Sequence, residues 1–266
     1  MKYGVIIRNV TDLWSEPKFN SERRSQLLYN ETVTITQKRA GYLRVYQNDG
    51  YTGWVDKRAI NIVSNNAWQK YKRKLNFNVT SKTAAIKSNN KQSDKFPAFL
   101  FYGTKLAVKR KSGNHRTVET ITGESFKILS GNCENTDIVH NSRKDSSIII
   151  RDARRFLGVP YLWGGSTPFG YDCSGMVQTL YARAGINLPR DSKDQRKAGT
   201  RIDKEDIKKG DLLFFPGHVA IALDKGKIIH SSLAEGGVAI NSLTPDSANF
   251  RKDLYSSFLE VRRVLK

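Results

Sequence analysis

One cysteine and two histidines in the last third of the chain could together do nucleophilic chemistry. Cys173 ends the turn-rich run Gly164-Gly165-Ser166-Thr167-Pro168-Phe169-Gly170-Tyr171-Asp172 and opens an apolar helical pattern. A thiol at a helix N-terminus meets the positive end of the dipole and unpaired backbone N–H groups, which favour the thiolate. Thiolate is the form that attacks carbonyls. His218 and His230 follow in chain order, so one imidazole can take the thiol proton while the other orients it. Cys133, His115 and His140 sit in polar stretches and receive no role. The chain has no C-x-x-C pair, so a cysteine-rich zinc site is not expected.

These groups need elements to hold them. Asp172 is suited to cap the Cys173 helix and Gly185 to follow its last turn, with Met176, Val177, Leu180 and Tyr181 on one face. Ile148, Ile149, Ile150, Ala153 and Phe156 mark an earlier helix, stopped at Gly158 with Pro160 beyond. Strands then follow at 211–215, 218–223 and 227–231. If Asp224-Lys225-Gly226 is a three-residue hairpin loop, Ala220 faces His230. His218, Ala220, Ala222, Ile228 and His230 then share a face, with the histidines diagonal neighbours about 7 Å apart. A two- or four-residue loop would separate them. The two alanines leave room on that face, where a helix bearing Cys173 is expected. Helices followed by an antiparallel sheet make this part an α+β domain.

Upstream, β-branched and aromatic runs at 32–36, 42–46 and 51–55 alternate with turn signals such as Asn48-Asp49-Gly50, the pattern of a small barrel. Leu28-Tyr29-Asn30-Glu31-Thr32-Val33 has a counterpart in Phe101-Tyr102-Gly103-Thr104-Lys105-Leu106. Gly103 replaces Asn30 at a position expected to need positive φ. Lys82 to Lys95 and Asn135 to Asp145 read as loops. The 266 residues carry a net charge of +20. Most of it lies in residues 1–145, with 26 Lys and Arg against 12 Asp and Glu. Anionic polymers such as teichoic acids, acidic membranes or nucleic acid are candidate partners, against a plain solvated surface. No run is long enough to span a membrane, and the N-terminus lacks a signal-peptide core.

The segments Leu13-Trp14-Ser15-Glu16-Pro17, Gln26 to Glu31 and Asp49-Gly50-Tyr51-Thr52-Gly53-Trp54-Val55 resemble a bacterial SH3 (SH3b) domain. The repeat resembles a second one that lacks the closing Gly-Trp-Val. Tyr161-Leu162-Trp163-Gly164-Gly165, Asp172-Cys173-Ser174-Gly175-Met176-Val177-Gln178, Gly210 to Phe215 and Gly217-His218-Val219-Ala220-Ile221 resemble the NlpC/P60 family of cysteine peptidases over residues 146–245. The resemblance implies an α+β, papain-like NlpC/P60 catalytic domain preceded by two small SH3-like β-barrels. The expected boundaries are 1–63, 64–137 and 138–266, with a linker at 138–145.

It further implies cleavage of peptidoglycan stem peptides between γ-D-Glu and the diamino acid, diaminopimelate or lysine. Cys173 matches the nucleophile, His218 the base, His230 the orienting residue and Tyr161 an oxyanion donor. Asp172 and Ser174 match contacts to D-Glu. Asp191 and Ser192, in Leu188-Pro189-Arg190-Asp191-Ser192, match a segment that reads a free N-terminal L-Ala. Tyr51 and Glu22 are the nearest candidates for the SH3b residues that restrict the cleft to such stems. The expected enzyme is a monomer without metal or cofactor, acting on wall or its fragments and with no specific nucleic-acid partner. It is secreted or wall-associated, with a cytoplasmic location as the alternative. A related amidase or acyltransferase, or a mainly wall-binding protein, are the competing readings.

Overall fold

A computed structural model describes residues 2–88, 96–136 and 146–265. His140 and parts of both expected loops lie outside these residues. The chain forms two compact units, 1–138 and 139–266.

The first unit begins with seven strands: β1 (Lys2–Ile6), β2 (Val10–Trp14), β3 (Arg23–Leu28), β4 (Thr32–Arg39), β5 (Tyr42–Tyr46), β6 (Thr52–Asp56) and β7 (Ile60–Val63). They form one sheet in the order β3-β2-β6-β5-β4-β1-β7. Its core gathers Ile6, Leu13, Leu27, Val33, Val45 and Val55. Helix α1 (Asn65–Lys72), which hydrophobic patterning did not reveal, starts at a Ser64 cap and buries only Tyr71. Then come β8 (Phe77–Val79), β9 (Thr83–Ala85), β10 (Phe99–Phe101), β11 (Lys105–Ser112), β12 (His115–Glu119), β13 (Ser125–Leu129) and β14 (Cys133–Asn135). Strand β9 falls inside the stretch read as a loop. Pairing with β10 and full burial of Ala84 hold it in place despite its polar neighbours.

The repeat is more extensive than one segment. The order β13-β12-β11-β8-β14 reproduces β6-β5-β4-β1-β7, and the matching strands sit 73 positions apart, as Thr32 and Lys105 at the starts of β4 and β11 show. Asn30 N–H donates to Ile6 O and Gly103 N–H to Val79 O, at 2.9 Å in both copies. Both turn residues have positive φ, 65° at Asn30 and 86° at Gly103. Asparagine and glycine are among the few residues that tolerate that conformation, which explains the exchange.

The second unit has helix α2 (Ser146–Arg155), the short hairpin β15 (Ser166–Thr167) and β16 (Gly170–Tyr171), and helices α3 (Cys173–Arg183) and α4 (Ser192–Gln195). Gly158 (φ 77°) and Gly185 (φ 76°) take the left-handed conformation just beyond α2 and α3. The sheet comprises β17 (Thr200–Ile202), β18 (Leu212–Phe215), β19 (His218–Ala222), β20 (Lys227–Ser232), β21 (Gly237–Ser242) and β22 (Glu260–Arg263), in the antiparallel order β17-β22-β18-β19-β20-β21. Helix α5 (Lys252–Ser256) precedes β22. No helix among the described residues is long and apolar enough to cross a membrane.

Candidate active site

The β19–β20 hairpin has the register that the three-residue loop requires. Ile221 pairs with Ile229 and Ala222 with Ile228, and Leu223 N–H donates to Lys227 O at 2.8 Å. The Asp224 carboxylate accepts from the Gly226 and Lys227 amides and fixes the turn. His218 and His230 therefore share a face, and their nearest ring nitrogens, His218 Nε2 and His230 Nδ1, are 2.7 Å apart. The ring centroids are separated by 4.9 Å and the planes by 72°.

Helix α3 does not cover that face, contrary to expectation. Ala220, Ala222 and Ile228 pack with Leu213, Phe215, Leu243, Leu254 and Val261. Ser231, which points to the opposite face, donates to Tyr171 O at 2.7 Å, two residues before Cys173. The thiol instead meets β19 at the end where His218 stands. Pairing between β19 and β20 goes no further toward His218 than Ile221. There the Val219 N–H donates to the Cys173 sulfur, as does the Ser174 N–H.

The Cys173 loop is held by one carboxylate. Asp172 Oδ1 accepts from Gly175 N–H at 2.6 Å and Oδ2 from Gly164 N–H at 3.0 Å. Arg190 grips both oxygens, at 3.0 and 2.5 Å, and also donates to the Ser174 hydroxyl at 3.0 Å. Arg190 and Asp172 are buried. A paired arginine fork is the partner that makes a carboxylate tolerable there. Gln195 closes the same corner by donating to Ser174 O and Pro189 O. Gly175 is required for this closure, because a Cβ there would strike the Gly165 carbonyl.

Burial decides the resting ionisation. The Cys173 thiol is pushed up to about 11 by burial and then by Asp172, against the lowering effect of the Val219 and Ser174 amides and Arg190. His218 is pushed down to about 3 by burial, His230 and Arg251. The helix start favours thiolate, as the sequence implied, but desolvation outweighs it. The resting pair is neutral thiol and neutral imidazole. Tyr161 is raised to about 12 by burial and by the nearby Cys173 and Asp172, so its hydroxyl remains a donor. Its backbone N–H donates to Gly236 O at 2.9 Å.

Cys173, Tyr161, Asp172 and Ser174 thus lie together, and the His218–His230 pair begins one residue before the Val219 amide that meets the sulfur. Asp191 occupies the cap position of α4 but makes no cap hydrogen bond with its side chain, and Ser192 opens that helix. In the first unit, Tyr51 lies against the Arg24 guanidinium, 4.8 Å from the ring centroid, and exposed Glu22 immediately precedes β3. Sequence reasoning gave no role to Arg190, although it stands within the Leu-Pro-Arg-Asp-Ser run, or to Asn241, whose Oδ1 is 2.7 Å from His230 Nε2.

Similarity to known proteins extends over both units. Residues 158–255 match the NlpC/P60 family, and residues 13–60 match the bacterial dipeptidyl-peptidase SH3 domain. The chain is 30% identical over 245 residues to a gamma-D-glutamyl-L-lysine dipeptidyl-peptidase of Bacillus cereus, covering 81% of this chain and 69% of that one. It is also 30% identical over 249 residues to the Bacillus subtilis protein of that name, covering 87% and 79%. A crystal structure of an NlpC/P60 family protein from Bacillus cereus superposes with a TM-score of 0.81 at 25% identity, over 99% of this chain and 100% of that one.

Proposed function

Because the chain belongs to the NlpC/P60 family of peptidoglycan hydrolases and is a cysteine peptidase, we propose that it cuts stem peptides between γ-D-Glu and the diamino acid with a Cys173-His218-His230 triad. The observation that carries this reading is the 2.7 Å contact between the histidines beside a strand amide that holds the Cys173 sulfur.

The Cys173 sulfur attacks the γ-glutamyl carbonyl as its proton passes to His218. The developing oxyanion takes hydrogen bonds from the Tyr161 hydroxyl and the Cys173 N–H, one of the first-turn amides that lack an intrahelical acceptor. His218 returns the proton to the leaving amine, the C–N bond breaks and a thioester remains. Water, losing a proton to His218, adds to the thioester, and the carboxylate product leaves as the thiol re-forms. Ser174, with Asp172 behind it, contacts the D-Glu moiety. Asp191 and Ser192 bind the free amine of an N-terminal L-Ala. Residues 1–63 and 64–137 are read as two SH3b-like domains, on the support of their common strand order.

Hydrolysis of L-Ala-γ-D-Glu-L-Lys and its diaminopimelate counterpart, with and without a blocked L-Ala amine, tests the reading. Cys173→Ala and His218→Ala are expected to abolish product formation, and the blocked peptides to react poorly. Substantial turnover by either variant, or release of intact stem peptide from muramyl sugar, would overturn it.

A further inference from the structure

The hydrogen-bond chain that starts at His218 continues past His230, and its far end determines what its near end can do. His230 is fully buried and Asn241 nearly so. Asn241 stands opposite Ile228 on β21, so it lies on the histidine face and diagonal to His230. Its Oδ1 is 2.7 Å from His230 Nε2. Its Nδ2 points the other way, donating to Glu235 Oε1 at 3.3 Å and to Asn249 O at 3.5 Å. Glu235 is in turn held by Arg251 at 2.7 Å, and Arg251 by both oxygens of Asp253 at 2.8 and 2.6 Å.

An amide has one donor end and one acceptor end, and a neutral imidazole has one of each. With Nδ2 facing a carboxylate and a carbonyl, Oδ1 must face His230, so the His230 proton sits on Nε2. His230 Nδ1 then accepts, and the 2.7 Å contact requires the His218 proton on Nε2. That leaves the lone pair of His218 Nδ1 for the thiol. A reversed amide would invert every step and place an N–H, not a base, at His218 Nδ1. We infer that Asn241, oriented by the Glu235–Arg251 pair, is a positioning residue that sets the tautomers of His230 and His218 and so makes His218 a base. The inference rests on the proposed roles of Cys173 and His218.

The charged groups that act on the pair are Glu235 between β20 and β21 and Arg251 and Asp253 at the start of α5; Asp172 and Arg190 act on Cys173, whose sulfur meets the Val219 amide next to His218. The test combines structure and kinetics on the full chain. Ring 15N shifts of histidine-labelled protein at neutral pH should show both His218 and His230 protonated at Nε2 and bare at Nδ1. Asn241→Leu, which removes the acceptor, should lose that pattern at His230 and lower kcat roughly tenfold or more with little change in KM. Asn241→Asp combined with Glu235→Gln keeps the acceptor without placing two carboxylates together. It should retain the tautomers and most of kcat, and shift the acid limb of kcat/KM to higher pH, because a carboxylate favours imidazolium. A purely structural asparagine would not produce that shift.

Wild-type rings protonated at Nδ1, or a folded Asn241→Leu with unchanged kcat, would overturn the inference. If Asn241→Leu does not fold, the double variant decides: an unmoved acid limb overturns the inference. Activity persisting in Cys173→Ser would instead overturn the catalytic reading, whatever the ring shifts show.

Discussion

At the scale of single residues, the site is organised around two neutral groups. Burial pushes His218 down from the ordinary 6.5 to about 3, so it is already a free base at mildly acidic pH. The acid limb of kcat/KM is therefore expected below about pH 5, and a limb at or above 6.5 in pH–rate measurements would contradict this. The same shift has a sign for stability. The unfolded chain binds a proton at His218 below about 6.5 and the folded chain does not. Folding stability from this group is thus fully present above 6.5 and is lost as pH falls toward 3. His218→Gln should flatten that part of a denaturant-midpoint profile. Arg190 acts differently, since removing it strands a buried carboxylate. Arg190→Met is expected to cost about 3 kcal/mol or more and to open the Cys173 loop. Equilibrium urea unfolding and the rate of iodoacetamide labelling of Cys173 read the two effects.

At the scale of elements, the placement depends on close backbone approach and on register. Gly175 in the first turn of α3 lies against the Gly165 carbonyl with no room for a methyl group. Gly175→Ala should destabilise by about 1–3 kcal/mol and reduce kcat more than KM, as calorimetry and steady-state kinetics would show. A wild-type Tm and kcat would mean that the loop yields easily. Much of this level was legible beforehand. Cysteine and histidine are chemically distinctive, and hairpin register follows by counting once Asp224-Lys225-Gly226 is taken as the loop. Parity showed which residues share a face but not which element covers it, so α3 was assigned to the wrong side of Ala220 and Ala222. β22, Glu260-Val261-Arg262-Arg263, was hidden by its charges, which are compensated by Arg196 pairing with Glu260 and Asp211 with Arg263. Asn241 and Arg190 are ordinary polar residues in sequence, and only the folded sheet and the Asp172 turn give them work.

At the scale of the whole molecule, charge and chemistry are separable. The +20 net charge is far larger than a single peptide substrate needs, and its field extends about one Debye length, ~8 Å at physiological salt. Binding to purified anionic cell walls should fall steeply between about 0.05 and 0.5 M salt, as pelleting assays would show. Hydrolysis of a small soluble stem peptide should change little over the same range. Equal salt sensitivity of both would mean that the charge serves the reaction itself. The duplication of residues 1–138 belongs to this scale too. A repeat 73 residues long was visible in the sequence only at one turn. Few paired positions keep their side chain, Tyr29 and Tyr102 or Val45 and Val118 among them, while the strand order and the positive φ at Asn30 and Gly103 are common to both copies.

The neutral, buried thiol also bears on chemical durability. Peroxides and alkylating agents react with thiolate, and a sulfur raised to about 11 offers almost none of it at rest. In the proposed mechanism nucleophilicity arises only while His218 is accepting the proton, which couples it to a carbonyl already seated in the site. Such a cysteine works as a latent reagent: it is expected to react slowly with oxidants between turnovers and is armed by the bond it breaks.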